Sequence, residues 1–116
     1  MKMQMATNTT PVIEYSCGIT PSILRLNVDN GGYTTPIITA DAFGGIGPFE
    51  YEWTVDVTNG EPVTLSASDK KSITATTGGY DSESIFKLTC TVTDTGNANT
   101  KVSSSSNCFI TFGDNF

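Results

Sequence analysis

The chain has 116 residues, and its twelve acidic against six basic residues give a formal charge of −6, a balance that repels a phosphate backbone and argues against nucleic-acid binding. Histidine is absent, which excludes Ser-His-Asp and Cys-His nucleophilic arrangements and any His-containing zinc site. No apolar run approaches the ~18 residues of a membrane helix.

The length suits one domain with a core of its own. The charged fraction of 16% is well below the usual ~25%, and Thr, Ser, Asn and Gly stand in for the missing charges. β-Branched Thr suits pleated surfaces and Gly and Asn suit turns, so the composition points to an all-β, loop-rich protein.

Residues 1–11 are polar, aperiodic and rich in Met and Thr, and read as a flexible N-terminal arm ahead of a single domain over residues 12–116. A secretory leader needs an apolar central stretch that this arm lacks, so the chain is expected to be made in a cytoplasm and to stay unexported. Val12 to Cys17 forms a short strand with Ile13, Tyr15 and Cys17 on one side; Gly18 and Pro21 mark a break. Ser22 to Val28 alternates Leu24, Leu26 and Val28 with Arg25 and Asn27. Asp29-Asn30-Gly31-Gly32 then turns the chain.

Pro36 to Phe43 is the next strand, with Ile38, Ala40 and Ala42 inward. Gly44-Gly45-Ile46-Gly47-Pro48 turns it into residues 49–57, where Phe49, Tyr51, Trp53, Val55 and Val57 share one parity and Glu50, Glu52, Thr54 and Asp56 the other. Successive strand side chains point to opposite faces, so this strand buries one face and wets the other. Its Trp53 is the natural occupant of the space left by Ala40 and Ala42. Two short strands follow, Val63 to Ala67 and Ser72 to Thr76. Ser84 to Asp94 alternates Phe86, Leu88, Cys90 and Val92 with Lys87, Thr89, Thr91 and Thr93, and should lie centrally beside the Trp strand. Lys101 to Phe112 is last, interrupted by the serines 103–106. Seven or eight such strands joined by Gly/Asn/Pro turns predict an immunoglobulin-like antiparallel β-sandwich. Its core is expected to contain Trp53, Tyr51, Phe86, Leu88, Cys90 and Val92.

The run from Ala42 to Trp53, with its Gly-Gly-Ile-Gly-Pro turn and Tyr-Glu-Trp strand, and the later Val92-Thr93-Asp94-Thr95-Gly96 together resemble the PKD-type branch of the immunoglobulin-like sandwiches. The resemblance spans about residues 22–112. It departs from the family at Thr58-Asn59-Gly60-Glu61, where many members carry an acidic Gly-rich turn. It departs again near Ala40, where no cysteine faces Cys90, leaving Cys90 as a small core residue. The resemblance implies a spacer, adhesion or display module in place of a catalyst.

The acidic stripe of Glu50, Glu52 and Asp56 reads as the solvated face of its strand. Asp94, Asn97 and Asn99 offer oxygens of the kind calcium takes, but turn formation explains them without a metal. Cys17 and Cys108 sit near the ends of strands expected to be edge neighbours, where a bridge would form only in an oxidising medium; cytoplasmic synthesis favours free thiols. For partner contact the residues singled out are Met3, Met5, Val12, Ile13 and Tyr15, because alternating methionines make adaptable contact surfaces and extended segments pair with sheet edges. No residue is assigned to catalysis, a metal or a cofactor.

The function expected is that of a non-enzymatic accessory protein of a bacteriophage particle, located in the virion as a decoration or cement on capsid or tail. Immunoglobulin-like and PKD-like domains resemble the modules that tailed phages display there. Its partners would be other virion proteins, the major capsid or tail protein, with host-surface glycans or further copies of the chain as secondary candidates, and neither nucleic acid nor membrane. The alternative is a bacterial cell-surface adhesion or carbohydrate-binding module.

Overall fold

Alternation of apolar and polar side chains, with no helical periodicity, yields strands throughout the computed structural model, which describes residues 14–79 and 83–113. They are β1 (Ser16–Thr20), β2 (Ile23–Val28), β3 (Ile38–Phe43), β4 (Phe49–Asn59), β5 (Thr64–Leu65), β6 (Ser72–Ile73), β7 (Ala75–Thr76), β8 (Glu83–Asp94) and β9 (Thr100–Phe112). The expected arm, with Met3, Met5, Val12 and Ile13, lies outside the described residues.

One sheet has the order β2-β9-β8-β4, and β1, β3 and β6 hydrogen-bond in that order in the other layer. β5 and β7 pair separately, but Thr74 joins β6 to β7 and itself accepts from Ser66 N–H at 2.9 Å. The segment leading into β3 continues along the same stretch, with Thr35 N–H donating to Ala75 O at 2.8 Å. The second layer therefore reads β1-β3-β6/β7-β5. This is the strand arrangement of an immunoglobulin-like sandwich, four strands facing a sheet built on β4, β8 and β9. The pairing is antiparallel except that β2 runs parallel to β9, so one chain segment serves both layers: β1 pairs with β3, and after the cis Thr20–Pro21 bond β2 crosses to the edge of the other sheet.

Four elements differ from the sequence reading. β1 starts at Ser16 and runs through Gly18, because its partner β3 supplies ladder bonds that outweigh the local glycine signal. The 72–76 strand is divided at Thr74. The 63–67 strand is reduced to two paired residues. β9 is continuous through its serines, since the whole length from Thr100 to Glu83's partner Thr111 pairs with β8.

Trp53 is 3% exposed, and Phe86, Leu88, Cys90 and Val92 are fully buried in one cluster with Ile38, Ala40 and Ile73 of the opposite layer; Tyr51 packs on its margin, partly exposed. Each large side chain so buried contributes about 1.5–3 kcal/mol. Trp53 also donates its indole N–H to Lys70 O at 2.7 Å and its backbone N–H to Ser68 O at 2.8 Å. The backbone bond lies on the outer edge of β4, so the 68–70 segment covers that edge at Trp53, where an open strand edge would otherwise invite association.

Candidate binding tip

At one end of the sandwich the β3–β4 turn and the β8–β9 turn meet. Gly44, Gly45 and Gly47 have φ of 73°, 78° and 79°, the left-handed region in which glycine alone is unstrained. Three such residues in four let the chain reverse tightly and aim its N–H groups inward. They converge on Asp94, the last residue of β8 and fully buried. Its Oδ2 accepts from Ile46 N–H at 2.8 Å; its Oδ1 accepts from Gly47 N–H at 2.8 Å and from Gly96 N–H at 3.2 Å.

Burying a carboxylate is costly unless it is well hydrogen-bonded, and bonds from backbone N–H to an ionised acceptor are the strong kind. A second tie crosses the same gap, Pro48 O accepting from both Thr95 N–H at 3.0 Å and Thr95 Oγ1 at 2.7 Å. Packing closes the arrangement. A Cβ on Gly45 would meet Asp94 Oδ2 at 2.6 Å and the Phe49 and Tyr15 rings at 3.1 and 3.2 Å, and one on Gly96 would run into Gly47 O.

The turn so fixed presents apolar side chains to solvent. Ile46 at its apex is 70% exposed and Phe43 at the end of β3 is 50% exposed. No charged side chain occurs in residues 43–49 or 95–99. An isolated exposed apolar residue needs no explanation; Ile46 projects from a backbone held by a buried carboxylate, and with Phe43 at the β3 end of the turn it makes up the apolar knob of this tip.

Tyr15 borders this tip but faces its own fold. Its ring stacks on Phe49 with centroids 6.1 Å apart, and its hydroxyl donates to Val92 O at 2.8 Å. Burial raises its pKa, with the negative charge of Asp94 adding to the effect.

Asp94 turns its two oxygens to N–H donors, which gives it a role in the turn; Asn97 and Asn99 sit in the β8–β9 turn, Asn97 N–H bonding back to Asp94 O at 3.1 Å. No group of three or more His, Cys, Asp or Glu suited to a metal occurs among the described residues. Glu50, Glu52 and Asp56 lie exposed on the outer face. Glu50 and Glu52 flank a cleft of about 330 Å³ that Tyr51, Asp69, Thr93 and Lys101 also line, and Lys101 Nζ donates to Thr93 Oγ1 at 2.9 Å. All three cysteines are free thiols. The strands of Cys17 and Cys108 are not paired with each other: Cys17 is in register with Ala42 of β3, Cys108 with Leu24 of β2 and Phe86 of β8. Burial pushes the Cys90 and Cys108 thiols up to about 11, and raises that of Cys17 as well.

The sequence contained a signal for the knob. Phe43 falls on the parity opposite Ile38, Ala40 and Ala42, so it had to face outward; the exposure of Ile46 had no such signal, because a glycine-rich turn has no parity.

No family model matches the chain, and no curated protein matches it. Among solved structures it is similar to the ASH/PapD-like domain of human CEP192 (PapD-like domain 7), with a TM-score of 0.59, 8% identity, and coverage of 99% of this chain and 96% of that one. At that identity the likeness establishes the immunoglobulin-like sandwich fold alone.

Proposed function

We propose that this domain is a non-catalytic binding module that docks on another protein through its β3–β4 tip, and that it serves as a display or cement protein of a bacteriophage particle. The observation that carries the reading is the pairing of Phe43 and Ile46, both open to solvent, with a turn whose backbone is held by a buried carboxylate. A side chain fixed before it binds loses little conformational freedom on docking, and apolar anchors entering a pocket supply most of the affinity in such contacts. The particle assignment draws on the PKD-like turn and strand motifs of residues 42–53 and 92–96. The adhesion alternative would look to the same tip, with Phe43 as the one exposed aromatic among the described residues.

The test is co-sedimentation of purified protein with particles from the source lysate through a density gradient, beside a Phe43→Ser/Ile46→Ser double variant of unchanged Tm. Wild type travelling with particles while the variant stays behind supports the reading. Wild type remaining at the top of the gradient overturns the particle assignment, and equal binding by both proteins overturns the tip.

A further inference from the structure

The two edges of the larger sheet are treated differently. The outer edge of β4 is covered at Trp53 by the 68–70 segment, whereas among the described residues nothing pairs with the outer edge of β2. Ser22 O and Val28 O accept from Asn107 and Gly113 N–H on the β9 side. The N–H and C=O groups of even-numbered residues therefore point to β9, and those of Ile23, Arg25 and Asn27 point outward along the free edge. The inward row is also incomplete there. Cys108, Ile110 and Phe112 of β9 are buried, but their register partners Leu24, Leu26 and Val28 are only partly covered. One more strand carrying apolar side chains on its inner face would cover them and satisfy the edge.

The chain contains a segment of that description. Met1-Lys2-Met3-Gln4-Met5-Ala6 alternates with the period of a strand and matches the six residues of β2 in length. Residues 1–13 hold Lys2 and no acidic residue, so the acidic excess falls wholly on the rest of the chain, and the charge favours contact between this segment and the body of the molecule.

On the molecule's own edge the segment would have to double back at Glu14, which stands at the far end of β1 from β2. The eight steps from Ala6 to Glu14, about 28 Å fully extended, would then have to retrace nearly all of the roughly 30 Å that the nine steps from Glu14 to Ile23 can cover at the strand rise. A second molecule has no such constraint.

We propose that residues 1–6 of one copy add as a strand to the β2 edge of a second copy, with Met1, Met3 and Met5 covering Leu24, Leu26 and Val28. Each copy then offers one donor strand and one acceptor edge. Reciprocal exchange between two copies closes a two-fold dimer, and exchange passed on from copy to copy builds a ring or a chain. It is separate from the tip, and Phe43→Ser/Ile46→Ser should leave it intact.

The test is light scattering coupled to size exclusion over a concentration series. Full-length protein should rise above its 12.3 kDa monomer mass with concentration. A copy lacking residues 1–7 and a copy with Asn27→Pro should each stay monomeric. Proline at 27 removes an N–H from the free edge and none from the β9 ladder, and an unchanged Tm confirms that the sandwich is intact. Mixing the two variants, one with only an edge and the other with only an arm, leaves no complementary pair except arm to edge, and should restore a species of twice the monomer mass. Full-length protein that stays monomeric, variants that still associate alone, or a mixture that remains monomeric overturns the proposal.

Discussion

Asp94 shows how much of the tip depends on one side chain. Replacing it with Ala leaves three backbone N–H groups without their acceptor, at about 1 kcal/mol or more each. Asp94→Ala should therefore lower stability by roughly 3 kcal/mol and Tm by about 10 °C, and Asp94→Asn, which keeps one acceptor oxygen, by about half as much. Thermal melts of the three proteins check this. Equal Tm for wild type and Asp94→Ala would mean that the turn holds itself. The residue was visible in the sequence as part of a Thr-Asp-x-Gly pattern, and calcium ligation and turn formation both fitted it. Only the positions of Ile46 and Gly47, nearly fifty residues earlier in the chain, distinguish them.

At the scale of elements, β4 and β8 were legible in nearly their full extent, because each alternates for many residues and pairs with its neighbour over almost its whole length. The short strands were not. β5, β6 and β7 have two residues each, too few for a period, and they exist because the 64–76 chain lies between partners that fix it. The β3–β4 turn is an element in the same sense, and its glycines are the test. Gly45→Ala puts a methyl against a carboxylate oxygen and two rings at a φ that L residues rarely adopt. We expect it to lower Tm by several degrees and to weaken particle binding more than Gly32→Ala, which shares the positive φ but has open space around its Cβ. Equal effects at the two sites would reduce the turn to a matter of backbone strain.

For the whole molecule, the buried thiols set a pH limit. Cys90 and Cys108 titrate at about 11 in the fold and near 9 when exposed. Below pH 9 both states hold these protons, and the stabilisation from keeping the thiols buried and neutral is complete. Between pH 9 and 11 the unfolded chain releases protons that the folded chain retains, so stability falls, by up to roughly 2–3 kcal/mol per thiol. Denaturant titrations across this range should show that decline, and a Cys90→Ala/Cys108→Ala variant, weaker at neutral pH, should show a shallower one. A wild-type profile flat to pH 11 would contradict the burial of these groups.

The sequence by itself determined the class of fold, the division of each long strand into wet and dry faces, and the central place of Trp53. All of these follow from local alternation and from the volume of large side chains, which any compact packing must bury. It left three matters to the tertiary structure. Asp94 becomes a clasp because distant backbone N–H groups are brought to it, Cys17 and Cys108 fall on strands of different layers because the chain changes sheets at Pro21, and among the described residues β2 is an open edge because β9 pairs with it on one side only. Each is a relation between segments far apart in sequence, fixed by pairing across the sheets.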